Sequence, residues 1–243
     1  MLVTHYDIGT MDTISKDTTI TTEPTLLAAS GKTTLTLAST TRIENMFQVT
    51  GSAGATFDHI ILDGNQTGTR GVYYNATGNL NFESAALTNC NTDNSDTKNG
   101  GGIYLDQAGA NLVVNSTTIS NCGNDNTVNG GAVCNYVPGD YSNARSVNMT
   151  ISGSSEITGC RAKWAGVLLM YAKDTSQSVT ISGTTKIHDN HCVGETDLSH
   201  IYGLIAVRAT ALNVKGDDTN GYVEIYDNRS EERRVGKECR SRW

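Results

Sequence analysis

The sequence predicts an all-β chain wound as a parallel β-helix, and three observations predict it. First, one four-residue phrase recurs along 243 residues: LDGN ending at Asn65, LTNC at Cys90, ISNC at Cys122, ITGC at Cys160, IHDN at Asn190 and IYDN at Asn228. The successive spacings are 25, 32, 38, 30 and 38 residues, and a period of about 20–50 residues marks a repeat architecture. Second, each position of the phrase keeps one chemical character. The first is aliphatic (Leu62, Leu87, Ile119, Ile157, Ile187, Ile225). The third is Gly, Asn or Asp (Gly64, Asn89, Asn121, Gly159, Asp189, Asp227), the types that tolerate positive φ, so it reads as a bend. The fourth is Asn or Cys. Third, apolar residues make up 37% of the chain and aromatics 6%, with two prolines. That supports a narrow core between strands that all donate ladder hydrogen bonds. Short β segments with one aliphatic each cannot bury a face alone, but they can when stacked on their own repeats.

In chain order, residues 1–11 read as a lead-in and residues 12–228 as the solenoid. Met1–Ser15 lacks a basic segment followed by an apolar one, so no signal peptide is read there. Thr13–Ser39 alternates threonine with apolar residues, punctuated by Pro24 and Gly31. Each aliphatic phrase strand is preceded, four residues earlier, by a second bend-prone series: Asp58, Glu83, Asn115, Gly153, Gly183 and Gly221. A second strand follows each phrase: Val72–Tyr74, Ile103–Leu105, Ala132–Cys134, Val167–Met170 and Leu204–Val207. A third follows the next turn: Leu80–Phe82, Leu112–Val114, Val147–Ile151, Val179–Ile181 and Leu212–Val214. With about eight coils at ~4.8 Å spacing, the rod would be on the order of 40 Å long. Insertions such as Asn91–Asn99 and Val193–His200 separate the phrase from the second strand, and Pro138–Ser146 follows one second strand. Variable loops on one face of a solenoid are where binding usually sits.

The stretch RIENMFQVTGSAGATFDHIILDGN (Arg42–Asn65) resembles the opening coils of pectate-lyase-like β-helix regions. The phrases NGGGI (Asn99–Ile103) and NGGAV (Asn129–Val133) are similar to the GGA[I/V] repeats of polymorphic outer-membrane and adhesin-like bacterial surface proteins. The resemblance implies a right-handed parallel β-helix, secreted and exposed at a cell surface. The hand also follows from strand twist. Its implied partners are a carbohydrate or a host or cell-surface ligand.

Several groups are candidates for chemistry. Cys90, Cys122 and Cys160 hold one ladder position on consecutive coils and read as buried free thiols rather than as disulfides or metal ligands. His188-Asp189-Asn190-His191-Cys192 has the side-chain types that zinc takes, but Asp189 occupies a bend and His188 an outward position, so a surface histidine is expected. Asn91-Thr92-Asp93 resembles the NTD phrase of polygalacturonases. The later phrases of that family are missing, and Asp217-Asp218 lies four coils away. The paired-carboxylate geometry of glycoside hydrolysis is therefore not assembled. Polysaccharide lyases of this shape use clustered acids for calcium and a Lys or Arg base; among the native basic residues only Arg208 sits on an expected strand with acids on nearby coils, and no triad is evident. A non-catalytic role is expected, without cofactor or metal site. Calcium is the one ion for which the Asn/Asp turns Asn91–Asp96 and Asn124–Asn126 offer oxygen ligands. Tyr73, Tyr74, Tyr104, Tyr136 and Tyr171, with Tyr141, recur on or beside the second-strand face and form the candidate binding face. The acidic balance, net −7, speaks against nucleic acid. No run of 18 apolar residues provides a transmembrane helix, so no membrane insertion is expected. The expected role is an adhesin-like surface module. The alternative is a fragment of a polysaccharide lyase or glycoside hydrolase.

Two local expectations follow. Glu156, Lys186 and Glu224 fall on consecutive coils, which sets opposite charges side by side. The last segment, residues 229–243 (RSEERRVGKECRSRW), carries six basic and three acidic residues and abandons the repeat. It is similar, residue for residue, to the in-frame translation of a common sequencing adapter. It is expected to be non-native and to make no ladder pairing, with Asn228 a truncation point inside a longer protein.

Overall fold

In the computed structural model, residues 5–8, 11–22, 31–38, 43–136, 145–171, 177–194, 203–208, 211–216 and 221–230 are described. They form strands and turns with no helix, and every strand pairing among them is parallel. The chain visits three sheets in turn. The first holds eight strands, from His5–Ile8 to Glu224–Tyr226; the second seven, from Asp12–Ile14 to Ile205–Arg208; the third seven, from Thr18–Thr21 to Ala211–Lys215. Arg161–Ala162, His191–Cys192 and Arg229–Ser230 add a short fourth sheet. Sequential strands that never pair with each other, but always with the strand one repeat away, fit a parallel β-helix.

Alternation builds the core. In Ser178–Ser182 the side chains of Val179 and Ile181 point inward while Ser178, Thr180 and Ser182 face out, as a period of two requires. The phrase aliphatics stack in register: Leu62 on Leu87, Leu87 on Ile119, Ile119 on Ile157, Ile157 on Ile187 and Ile187 on Ile225. The first five are fully buried. Ile225 is 50% exposed, because its strand is the last in the sheet and no described strand lies over it. At the other end Phe57 stacks on Phe82 at 5.0 Å and meets Phe47 edge-on at 5.2 Å, filling the width that the later coils close with aliphatics.

The bends explain the phrase. Asn89, Asn121, Gly159, Asp189 and Asp227 all adopt positive φ, as their residue types foretell. In the first copy the bend moves on to Asn65 and Gln66, and Gly64 instead lies against Cys90, where a Cβ would come within 2.9 Å of its Sγ. Asn65 is consequently exposed and does not belong to the buried small-residue column. The second bend series needs correction too. Positive φ falls on His59, Ser84 and Ser116 rather than on Asp58, Glu83 and Asn115, whereas Gly153, Gly183 and Gly221 are bends as expected. The register pairs Asn115 with Ser152, so the corner from Gly153 to Ile157 holds one residue more than that from Ser116 to Ile119.

Both expected solenoid limits are passed. His5–Ile8 pairs with Thr33–Leu37, so the ladder reaches into the supposed lead-in. Arg229 and Ser230 pair with His191 and Cys192, against the expectation of an unpaired tail. Ladder bonds are made by backbone groups, so the first residues after Asn228 can pair whatever their side chains. Residues 231–243, the rest of the tail, lie outside the described residues, as do Tyr141, Asp217-Asp218 and most of the Pro138–Ser146 and Val193–His200 insertions. The register sets Glu156 beside Lys186 and Lys186 beside Glu224 as expected; Lys186 Nζ lies 3.5 Å from Glu224, and Glu156 also meets His188 Nε2 at 2.8 Å.

Candidate functional site

Sheet geometry decides what the candidate tyrosine face can do. Successive residues of a strand point to opposite sides, so adjacent tyrosines cannot share a surface. Tyr74 points inward, fully buried, with its hydroxyl donating to the Ala53 carbonyl at 3.2 Å, and burial pushes its pKa up to about 12. Tyr73 points outward and half-buried, its hydroxyl donating to Asp106 Oδ2 at 2.6 Å. Tyr104, Tyr136 and Tyr171 are also outside the solenoid core, yet each is buried in a second apolar cluster with Cys134, Ala165 and Leu169. Tyr136 packs on Tyr171 at 4.6 Å and Tyr73 on Tyr104 at 5.8 Å. The expected stacking platform is therefore corrected to a packed satellite core: four of its five rings have no accessible face to offer a sugar.

Arg70 secures the edge of that cluster, and sequence reasoning missed it. It begins the strand Arg70–Ala76 and is wholly buried. Its guanidinium donates to Asn45 Oδ1 at 2.6 Å, to the carbonyls of Asn99, Gly100 and Thr97 at 3.0, 3.1 and 2.9 Å, and to Thr97 Oγ1 at 3.1 Å. It lies 5.2 Å from the Tyr104 ring centroid, a cation–π distance. The planar fork suits this many fixed acceptors, and its role is to tie the Asn91–Asn99 loop to the second sheet. Arg208, the residue singled out from sequence, ends the strand Ile205–Arg208.

The loops between phrase and second strand do converge. Gln66, Asn91 and Asp93, then Asn121, Gly123, Asn124, Asp125 and Asn126, then Gly159 and Arg161, line one open groove of ≈ 480 Å³ that crosses four successive repeats. Local bonds position each side chain. Asn91 Oδ1 accepts from the Asp93 amide at 3.3 Å, and Asn124 Oδ1 from the Asn126 and Thr127 amides at 2.9 and 3.1 Å, the local turns that asparagine favours. Lys98 Nζ clamps the base of the first loop through the Thr92 and Asp93 carbonyls at 2.8 and 2.6 Å. Across the coils, Asp93 accepts from Asn124 Nδ2 at 2.9 Å and from Asn126 Nδ2 at 3.1 Å, and Arg161 Nε pairs with Asp125. Both acids thus spend charge on neighbouring coils. The groove presents amide, carboxylate and guanidinium groups that can both donate to and accept from hydroxyls.

The remaining candidates do not line the groove. His188 is bonded by Glu156 and Asp189, each at 2.8 Å, and stacks on Tyr226 at 4.8 Å. Hydrogen bonding to Asp189, opposed by burial and helped by Glu156, raises its pKa. Among the described residues no group of three or more His, Cys, Asp or Glu side chains converges as metal ligands, and no helix is long and apolar enough to cross a membrane. Cys90, Cys122, Cys134 and Cys160 are free and buried, and Cys192 is buried too. Comparison with protein-family models, curated proteins and solved structures finds no match.

Proposed function

We propose that the chain forms part of a right-handed parallel β-helix of about eight coils whose loop face binds a glycan at a cell surface, as an adhesin-like module without catalytic turnover. The observation that carries this reading is the convergence of loops from successive repeats on one open polar groove. A groove running along the solenoid axis suits an extended, hydroxyl-rich chain, and conformationally variable loops held by a rigid scaffold are the usual place for binding. Its carboxylates are engaged by amides and an arginine, which favours fixed recognition over proton transfer. A host or cell-surface ligand that displays such a glycan is the implied partner; neither nucleic acid nor a lipid bilayer suits an acidic, amide-lined surface.

One observation favours a second reading. Asp93, Asp125 and Arg161 share the groove, the residue types a polysaccharide lyase or glycoside hydrolase uses. The two readings separate on incubation with pectin and other acidic glycans, with and without calcium, while products are followed. Binding without product supports the module. Turnover abolished by Asp93→Ala or Arg161→Ala establishes the enzyme.

A further inference from the structure

The core column after the phrase contains a chemically distinct stretch. On the later coils it is filled by asparagine, whose Nδ2 donates back to the preceding aliphatic carbonyl: Asn228 to Ile187 and Asn190 to Ile157, both at 2.9 Å. On the middle coils thiols take the same place. Cys160 Sγ faces the Ile119 carbonyl at 3.8 Å and Cys122 Sγ the Leu87 carbonyl at 3.7 Å, contacts far weaker than those of the amides. The ladder runs straight through these residues, with the Cys90 carbonyl accepting from Gly123, that of Cys122 from Arg161 and that of Cys160 from His191. The three thiols are therefore held on neighbouring coils at the ladder repeat of about 4.8 Å, inside the ~4.4–6.8 Å Cα separation that a disulfide requires. The first and third are two repeats apart, roughly 9.6 Å, which is beyond it.

We propose that Cys90, Cys122 and Cys160 form a one-of-two oxidation site, in which a small-molecule disulfide converts Cys122 and either neighbour into a single disulfide stapling two consecutive coils. Two thiols give up two protons and two electrons, the small disulfide is reduced to two thiols, and the third protein thiol stays free. Cys122 initiates. Burial opposes its ionisation, but hydrogen bonds from the Cys160 and Cys90 thiols stabilise its thiolate, while the bond to Cys122 and burial push the Cys90 thiol up. The Cys122 thiolate attacks one sulfur of the reagent and expels the first small thiolate. A neighbouring thiolate then attacks the Cys122 sulfur, closing the staple and expelling the second. All three sulfurs are shielded from solvent, so the rate follows local opening of the coil rather than reagent reactivity.

The test treats the full chain with oxidised glutathione, in low denaturant to promote opening, then alkylates free thiols and maps peptides without reduction. The expected map shows Cys122 joined to Cys90 in some molecules and to Cys160 in others, never both, with a raised thermal midpoint. Cys90→Ala leaves only the Cys122–Cys160 link, Cys160→Ala only Cys90–Cys122, and Cys122→Ala none within the column. Circular dichroism confirms that each variant is folded, and the two outer variants carry the test if Cys122→Ala does not fold. A wild-type chain that keeps all three thiols alkylatable after the opening treatment overturns the proposal, as does a Cys90–Cys160 link in any variant.

Discussion

His188 joins two coils through charge, and its contribution has a sign. In its raised-pKa state the protonated ring donates to Asp189 on its own coil and to Glu156 on the coil before, and it lies flat on Tyr226 of the coil after, with Thr158 beside it. A folded-state pKa above the unfolded one gives stability that is complete below the unfolded value and is lost as pH rises through the folded one. Both carboxylates are substantially exposed, so water screens the effect. The thermal midpoint of the native chain should therefore fall, relative to His188→Gln, as pH climbs above the usual imidazole range; parallel curves for the two proteins would refute the bridge. Arg70 acts differently, through buried hydrogen bonds. Arg70→Met should cost about 3–5 kcal/mol in chemical denaturation, because the Asn99, Gly100 and Thr97 carbonyls lose a buried donor. Arg70→Lys should not restore it, since a point charge cannot reach this many acceptors; a loss under about 1 kcal/mol would contradict the role. Nothing in the sequence marks Arg70, because the paired position on the neighbouring coil is Asn45 and no cation recurs there.

At the scale of the element, the repeat was readable because each position is set by one local demand. An inward side chain favours apolar residues, and a left-handed bend favours Gly, Asn or Asp. The columns of Leu87 through Ile187 and the bends of Asn89 through Asp227 follow directly. What failed was counting across corners. A turn that gains one residue, as before Ile157, keeps the aliphatic in register yet moves the bend, and Ser84 and Ser116 carry left-handed φ that their residue type does not announce. Ile157→Ala should cost about 2–5 kcal/mol as a buried truncation, whereas Ile225→Ala, half exposed in the same column, should stay within about 0.5 kcal/mol; equal losses at both sites would break the column. The doubled glycines report close backbone approach. A Cβ on Gly131 would lie 2.3 Å from the Gly166 carbonyl oxygen, so Gly131→Ala should destabilise by about 1–3 kcal/mol in the same denaturation measurement.

At the scale of the whole molecule, the solenoid separates what holds the chain together from what it presents. The tyrosines suggested a binding face by residue type, but burial of the rings depends on what packs over the second sheet, which no periodicity encodes. The loops after the phrase were legible as insertions on one face, and Asn91, Asp93 and Asn124–Asn126 do meet in one groove. Arg161 was not, because its place in the groove depends on three coils coming into register, from Asp93 and Asn124–Asn126 to Gly159. Placing the ligand surface at the loop groove rather than the aromatic side is the central claim, and isothermal titration of a glycan identified by array screening tests it most directly. Asn126→Ala and Arg161→Ala should each weaken binding about tenfold or more, corresponding to about 1.4 kcal/mol, while Tyr73→Phe leaves it unchanged. Binding that survives both groove substitutions, or is lost on changing Tyr73, would contradict it.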